Sequence, residues 1–276
     1  MSSTTLADFL LPHGFSMPHP AAVLREGSAA TELGRYAWRA ATERRTRRAT
    51  PYAARPVRHG DPVLLVPGFL AGDGTLGLMS RSLRQQGFRT YRSHILSNVG
   101  CTLNAAAQLE ARLESIAIRR GTRVQIIGHS LGGMLARGVA VRRPDLVSNI
   151  VTMGSPMLAP GAHHVSLAAT VDLLVRLSRA GIPGLMSEEC VRGACAEQSF
   201  GDSRRPVPDG VGFTAIYSRR DGIVDWRACV DPLARAVEVT ASHLGMAFDP
   251  RVVDAVSGAL VRSDVSAVEV DRGESA

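Results

Sequence analysis

The sequence predicts an α/β fold: a mostly parallel sheet flanked by helices, with a small helical cap inserted in it. Three observations predict it. Short β-branched or wholly apolar runs alternate with helix-patterned segments between Val63 and Arg262. The first run, Val63-Leu64-Leu65-Val66, is apolar at every position, as a strand buried on both faces of a parallel sheet requires. The stretch Gly128-His129-Ser130-Leu131-Gly132-Gly133 joins a strand-like run, Val124-Gln125-Ile126-Ile127, to a helix-like segment, Leu131 to Val141. Such alternation implies right-handed crossovers, with reactive groups gathered at the carboxyl ends of the strands.

The chain has 276 residues and 45% apolar content, enough for one α/β domain with a small insertion. No run of about 18 apolar residues predicts a membrane span. Residues Met1 to Phe15 hold Asp8 and Pro12 and lack a basic leader followed by an apolar core. This is a poor secretory signal and predicts a cytoplasmic chain. Formal net charge is +7, and every basic residue other than histidine is arginine. Arg44, Arg45, Arg47 and Arg48 cluster, with Arg55 and Arg58 behind. That cluster reads either as a solvated helix end or as a peripheral contact with an anionic membrane surface. Sparse aromatics and the lack of a recognition module argue against nucleic acid. Cys190 and Cys195 have no familiar zinc spacing. They could pair, but without a secretory signal reduced thiols are expected.

Residues 1–58 read as a helical, basic extension packed outside the domain and free of catalytic groups. Pro51, Pro56 and Gly60 break it. The α/β domain spans 59–262. After Val66 comes a loop, Pro67-Gly68-Phe69-Leu70-Ala71-Gly72, in which Gly68 lets the backbone approach a ligand. Asp73 and Thr75 are placed to cap a helix from Thr75 to Gln86. Thr90 to Ile95 reads as a strand containing His94, and Leu103 to Arg119 as an amphipathic helix ended by Gly121. Asn149 to Met153 is the next strand. Residues 157–210 leave this rhythm and read as a cap, with a helix from Val165 to Arg179. Its apolar residues (Leu167, Val171, Leu173, Leu174, Leu177, Leu185, Met186) suit an acyl group. Strands at Gly212 to Ser218 and Ala236 to Thr240 follow, then a helix from Asp249 or Pro250 to Arg262. Residues 263–276 are polar and read as a flexible tail.

A strand turning straight into a helix at G-x-S-x-G forces its serine into a cramped conformation and lifts the hydroxyl above the sheet edge. Ser130 is therefore the candidate nucleophile. The amide of Leu131, at a helix start, has no intrahelical partner and can bind a developing oxyanion. The Phe69 amide, in an early strand-to-helix loop, is the second donor. Serine needs a base, and the base needs a carboxylate to orient it. Downstream of Ser130 the histidines are His163, His164 and His243. The first two fall at the cap entrance, so His243, after the last strand, is the candidate base. Asp221 and Asp225 compete as the acid. Asp221 directly follows a strand and is preferred; Asp202 and Asp231 lie further from a strand end.

Val66-Pro67-Gly68-Phe69, the Gly128 to Gly133 stretch, Tyr217-Ser218-Arg219-Arg220-Asp221-Gly222-Ile223-Val224 and Ser242-His243-Leu244-Gly245-Met246 together resemble α/β-hydrolases of the bacterial lipase/esterase type over residues 61–262. The resemblance implies the α/β-hydrolase fold and supports Asp221, because such lipases carry their acid in a Ser-x-x-Asp segment. It puts the oxyanion amides at Phe69 and Leu131. It also implies cleavage of an acyl ester or lipid through an acyl-enzyme, with no metal or organic cofactor. Pro67 departs from the His-Gly that many lipases carry in the oxyanion loop. Acyl transfer or thioester cleavage would use the same residues. A non-catalytic fold binding an apolar ligand or a partner is the alternative from another class. Dehalogenases and epoxide hydrolases are disfavoured, since they place an aspartate where Ser130 stands.

Overall fold

The computed structural model describes residues 10–49 and 60–273. A 3₁₀ segment, Pro20–Ser28, leads into helix α1 (Ala29–Ala49). The domain then runs β1 (Pro62–Val66), α2 (Gly77–Gln85), β2 (Arg89–Arg92), α3 (Thr102–Arg120), β3 (Val124–His129), α4 (Leu131–Arg142) and β4 (Val147–Met153). Three helices follow, α5 (Val165–Arg179), α6 (Glu188–Arg192) and α7 (Ala194–Arg204), before β5 (Gly212–Tyr217), β6 (Arg235–Glu238) and α8 (Pro250–Gly273). The six strands form one sheet in the order β2-β1-β3-β4-β5-β6, with every pairing parallel. The fold is the α/β sandwich that the apolar runs predict.

The period of two along β1 explains the layers. Val63 and Leu65 point to one face, where α2 and α8 supply Met79, Leu83, Val252, Val253, Val256 and Leu260. Leu64 and Val66 point to the other, against Leu109, Leu113 and Ile116 of α3 and Leu135, Ala136 and Val139 of α4. All five residues of β1 are buried. With both faces of the sheet buried, the loops at its carboxyl edge are available to carry chemistry.

Four local expectations change. β2 ends at Arg92 rather than Ile95. The Asp73 carboxylate explains why: it accepts from the Ser93 amide (3.0 Å), the Ser93 hydroxyl (2.6 Å) and the His94 amide (2.9 Å). That pull turns the chain out of the strand, and His94 takes φ 70°. Asp73 thus ties a loop instead of capping a helix. The helix expected from Thr75 begins as a 3₁₀ turn, Asp73–Leu76, and becomes α-helical at Gly77. Lastly, α8 continues past Arg262 to Gly273. Residues 263–272 mix polar residues with Val265, Ala267, Val268 and Val270 and contain no proline or glycine, so nothing in their backbone chemistry stops the helix earlier. Arg55 and Arg58 of the basic cluster lie outside the described residues. No described helix is long and apolar enough to cross a membrane.

The 3₁₀ segment and α1 are bound to the domain by charge. Arg35 reaches Asp249 (2.9 Å), and Arg39 reaches Asp254 (2.7 Å) on α8. Arg142 of α4 joins Glu110 of α3 (2.6 Å) and Asp202 of α7, fastening the inserted helices to the sheet layer.

Candidate active site

Ser130 stands between β3 and α4 with φ 52° and ψ −123°. A non-glycine residue at such angles carries strain of about 1–3 kcal/mol, held in place by its surroundings. The surroundings here are backbone. A Cβ at Gly128 would overlap Gly133 across the turn, and one at Gly132 would overlap the carbonyls of Val66 and Pro67. The Ser130 amide donates to the Met153 carbonyl at 2.8 Å, pinning the turn to β4. Leu131 opens α4, so its amide precedes any intrahelical acceptor.

The loop after β1 runs alongside. A Cβ on Gly68 would lie 3.0 Å from the Cβ of Ser130. The loop is held on both sides of Phe69. The Leu70 amide donates to the Asn98 carbonyl (3.1 Å), and the Asn98 side-chain amide donates to the Pro67 carbonyl (3.0 Å). Phe69 packs against the cluster of Leu174, Val175 and Met186 in the inserted segment, as does Val99. Of the apolar cap residues singled out in the sequence, Leu174, Met186, Val171 and Leu185 join this cluster, whereas Leu173 is exposed.

The loops after β5 and β6 bring the acid and the histidine together. Asp221 Oδ2 lies 2.7 Å from His243 Nδ1, and both residues are buried. The other oxygen of Asp221 accepts from the amides of Ile223 (2.8 Å) and Val224 (2.7 Å), which fixes the carboxylate plane. Asp225 faces elsewhere, accepting from the amide and guanidinium of Arg227. Asp202 pairs with Arg142, and Asp231 faces Arg137 at 3.5 Å. His164 caps α5, and His163 forms an isolated backbone bridge with Val224. Of the acids and histidines weighed from the sequence, Asp221 and His243 are the pair in contact.

Sheet register relates this pair to Ser130. His129 is level with Met153, so Ser130 and Gly154 are neighbours one step beyond the two strand ends. A Cβ on Gly154 would lie 3.0 Å from His243 Nδ1 and 3.2 Å from Asp221 Oδ2. The imidazole therefore covers the residue next to Ser130. Burial opposes protonation of His243, but the Asp221 charge and hydrogen bond, with the more distant Glu26 charge, outweigh it and raise its pKa above the ordinary histidine value.

Three contributors carried no signal in the sequence. The His129 ring lies 4.8 Å from that of His243, and its Nε2–H donates to the His243 carbonyl at 3.0 Å. Burial, then the His243 charge, hold the His129 pKa at about 3, so this neighbour stays neutral. Glu26 and Glu32 come from the N-terminal extension, expected to be remote from the chemistry. Glu26 Oε1 accepts from the amides of Gly222 (2.9 Å) and His243 (3.0 Å), and Oε2 from Leu244 (2.9 Å). Glu32 accepts from the Ser242 amide (2.9 Å) and hydroxyl (2.6 Å). Gly222 and Gly245 leave the room these carboxylates occupy. A separate cavity of about 340 Å³ between α2 and β2, lined by Asp73, Ser80, Arg81, Arg84, Tyr91 and Arg92 among others, shares no residue with this cluster.

Known proteins share this fold and parts of this sequence. Residues 103–176 match the family described as PGAP1-like alpha/beta domain. A triacylglycerol lipase from Vibrio cholerae serotype O1 is 33% identical over 139 residues, covering 48% of this chain and 40% of that protein. The chain thus matches less than half the length of that relative. Among solved structures, the mature form of a Bacillus licheniformis lipase aligns with a TM-score of 0.59 at 14% identity, over 74% of this chain and 94% of that one. A monoacylglycerol lipase from Paleococcus ferrophilus aligns at 0.51 and 15% identity, over 74% and 96%. The chain is an α/β-hydrolase-fold protein whose likenesses, in sequence and in structure, run to lipases.

Proposed function

We propose that the chain is a serine hydrolase of carboxylic esters. His243 Nε2 takes the proton of Ser130 Oγ as that oxygen bonds to the ester carbonyl carbon. The Phe69 and Leu131 amides stabilise the oxyanion, a contribution of about 10²–10³ in rate per donor in related chemistry. The imidazolium, stabilised by Asp221, then protonates the departing alkoxide, the ester C–O bond breaks, and an acyl-Ser130 remains. Water, deprotonated by His243, attacks the acyl carbon; carboxylic acid leaves and Ser130 regains its proton. The observation that carries this reading is the buried Asp221–His243 pair at 2.7 Å over Gly154, beside the strained Ser130.

The lipases among the similar proteins support an acyl ester or lipid as substrate, and the apolar cluster around Phe69, Leu174 and Met186 offers a surface for the acyl chain. The exposed Arg44 and Arg45 on α1 are available to an anionic lipid surface. A fluorophosphonate probe tests the reading. The folded chain should be labelled on Ser130, and preincubation with p-nitrophenyl acyl esters should slow the labelling. Failure to label would favour a non-catalytic binding role.

A further inference from the structure

Cys101, Cys190 and Cys195 are far apart in the sequence but meet in space. Their three Sγ atoms all lie within 4.8 Å of one another. Each comes from a different element. Cys101 is the residue before α3, Cys190 lies in α6 and Cys195 in α7. One thiol therefore belongs to the sheet layer and two to the inserted helices.

We propose that these three cysteines form a thiolate site for a soft closed-shell cation, Zn²⁺ in the first instance, which fastens the inserted helices to the domain. The distances suit it. Zn–S bonds of about 2.3 Å at tetrahedral angles place sulphurs about 3.8 Å apart. The sulphurs need to draw in by about 1 Å at most to meet that. A disulfide needs sulphurs at about 2.05 Å and leaves a third thiol over. All three residues are half-buried, reachable by an ion yet shielded from bulk solvent. Cys101 is the N-cap of α3, where the positive end of the helix favours an anion. The Ser187 hydroxyl lies 3.4 Å from Cys190 Sγ and orients it. Binding releases up to three protons as three thiols become thiolates, and water fills the fourth position.

The location gives the site a consequence. Cys190 packs in the same apolar cluster as Phe69, Val99 and Met186. An ion held by Cys190 and Cys195 against Cys101 would fix the floor of the insertion beside the loop that carries Phe69. The inference does not depend on Ser130 being a nucleophile, since it concerns metal binding alone.

Titration of the reduced, metal-free chain with Cd²⁺ as a spectroscopic stand-in, then with Zn²⁺ in competition, tests it. The expected result is one equivalent of ion and a thiolate-to-cadmium charge-transfer absorption. Cys101→Ser, Cys190→Ser and Cys195→Ser should each weaken binding by at least about 100-fold, more than loss of an outer-shell partner costs. Cys229→Ser, at a buried position elsewhere, should leave binding unchanged. Zn²⁺ should also slow proteolysis within residues 180–205. Absence of stoichiometric binding by the folded, reduced chain, or binding that survives Cys101→Ser, would overturn the proposal. So would a disulfide among these cysteines whose reduction yields no Zn²⁺ binding.

Discussion

Replacing Glu26 by glutamine keeps the side chain's size and removes its charge. The carboxylate accepts three amides, those of Gly222, His243 and Leu244. A glutamine carbonyl can accept two of them, and its NH₂ group then faces a donor. Leaving one buried amide without an acceptor costs about 1–3 kcal/mol, and loss of the charge weakens the remaining bonds. The total, about 2–4 kcal/mol, is smaller than the 5–15 kcal/mol typical of a domain, so the variant should still fold. Its activity should fall further than stability alone predicts. Glu26 holds the backbone of His243 itself, and a shift of about 1 Å at such a group can cost on the order of 10² in rate. The pH profile gives a readout that a purely structural role would not move. The Glu26 charge is one of the influences raising the His243 pKa, so removing it should move the acidic limb of kcat/KM to lower pH. Urea unfolding and p-nitrophenyl ester kinetics across pH, run on the same preparation, measure both. A lowered urea midpoint with unchanged kcat/KM and an unmoved acidic limb would refute the view that Glu26 positions the histidine.

Other outcomes follow from the same contacts. In the native chain, kcat/KM should lose its neutral base at a pH above the ordinary histidine value of 6.5, because Asp221 outweighs burial at His243; a limb below 6.5 would contradict this. Asp221→Asn should lower kcat by about 10⁴, as loss of the orienting acid does in triad enzymes, while Asp225→Asn should change it little; comparable losses would reopen the choice between them. His129 works in the opposite sense to His243 in stability. The folded chain keeps His129 neutral down to about 3, whereas the unfolded chain takes up a proton near 6.5. The unfolded state then binds more protons, so stability falls by roughly 5 kcal/mol as pH drops through that window. His129→Gln should flatten that decline in urea midpoints; an equally steep decline would remove His129 as its cause.

What the sequence reveals and what it hides divide along contact distance. β1 is legible because four consecutive apolar residues need burial on both faces, and the tight strand-to-helix turn at Ser130 because Gly128 and Gly132 answer a local steric demand. The pairing of Asp221 with His243 is legible because each follows a strand, and parallel strands deliver their ends to one edge. Glu26 is not legible. Its partners Gly222 and His243 lie 196 and 217 residues downstream, and an acid on a basic helical segment has a ready solvated alternative. Cys101 is hidden for the same reason, since nothing nearby announces that Cys190 and Cys195 will arrive beside it. The turn at Ser93 and His94 needs knowledge that Asp73 accepts from both. The extent of α8 past Arg262 was masked by polarity, which helices tolerate when no breaker intervenes.

The central claim is that one serine oxygen becomes covalently acylated during turnover. Rapid-quench mass spectrometry of the intact chain, mixed with a slowly deacylating ester, observes that event directly. The predicted result is a transient mass increase equal to the acyl group replacing one hydrogen, mapped by peptide analysis to Ser130 and absent from folded Ser130→Ala. Ester turnover that persists undiminished in Ser130→Ala, or an acyl group mapped to another residue, would contradict the account.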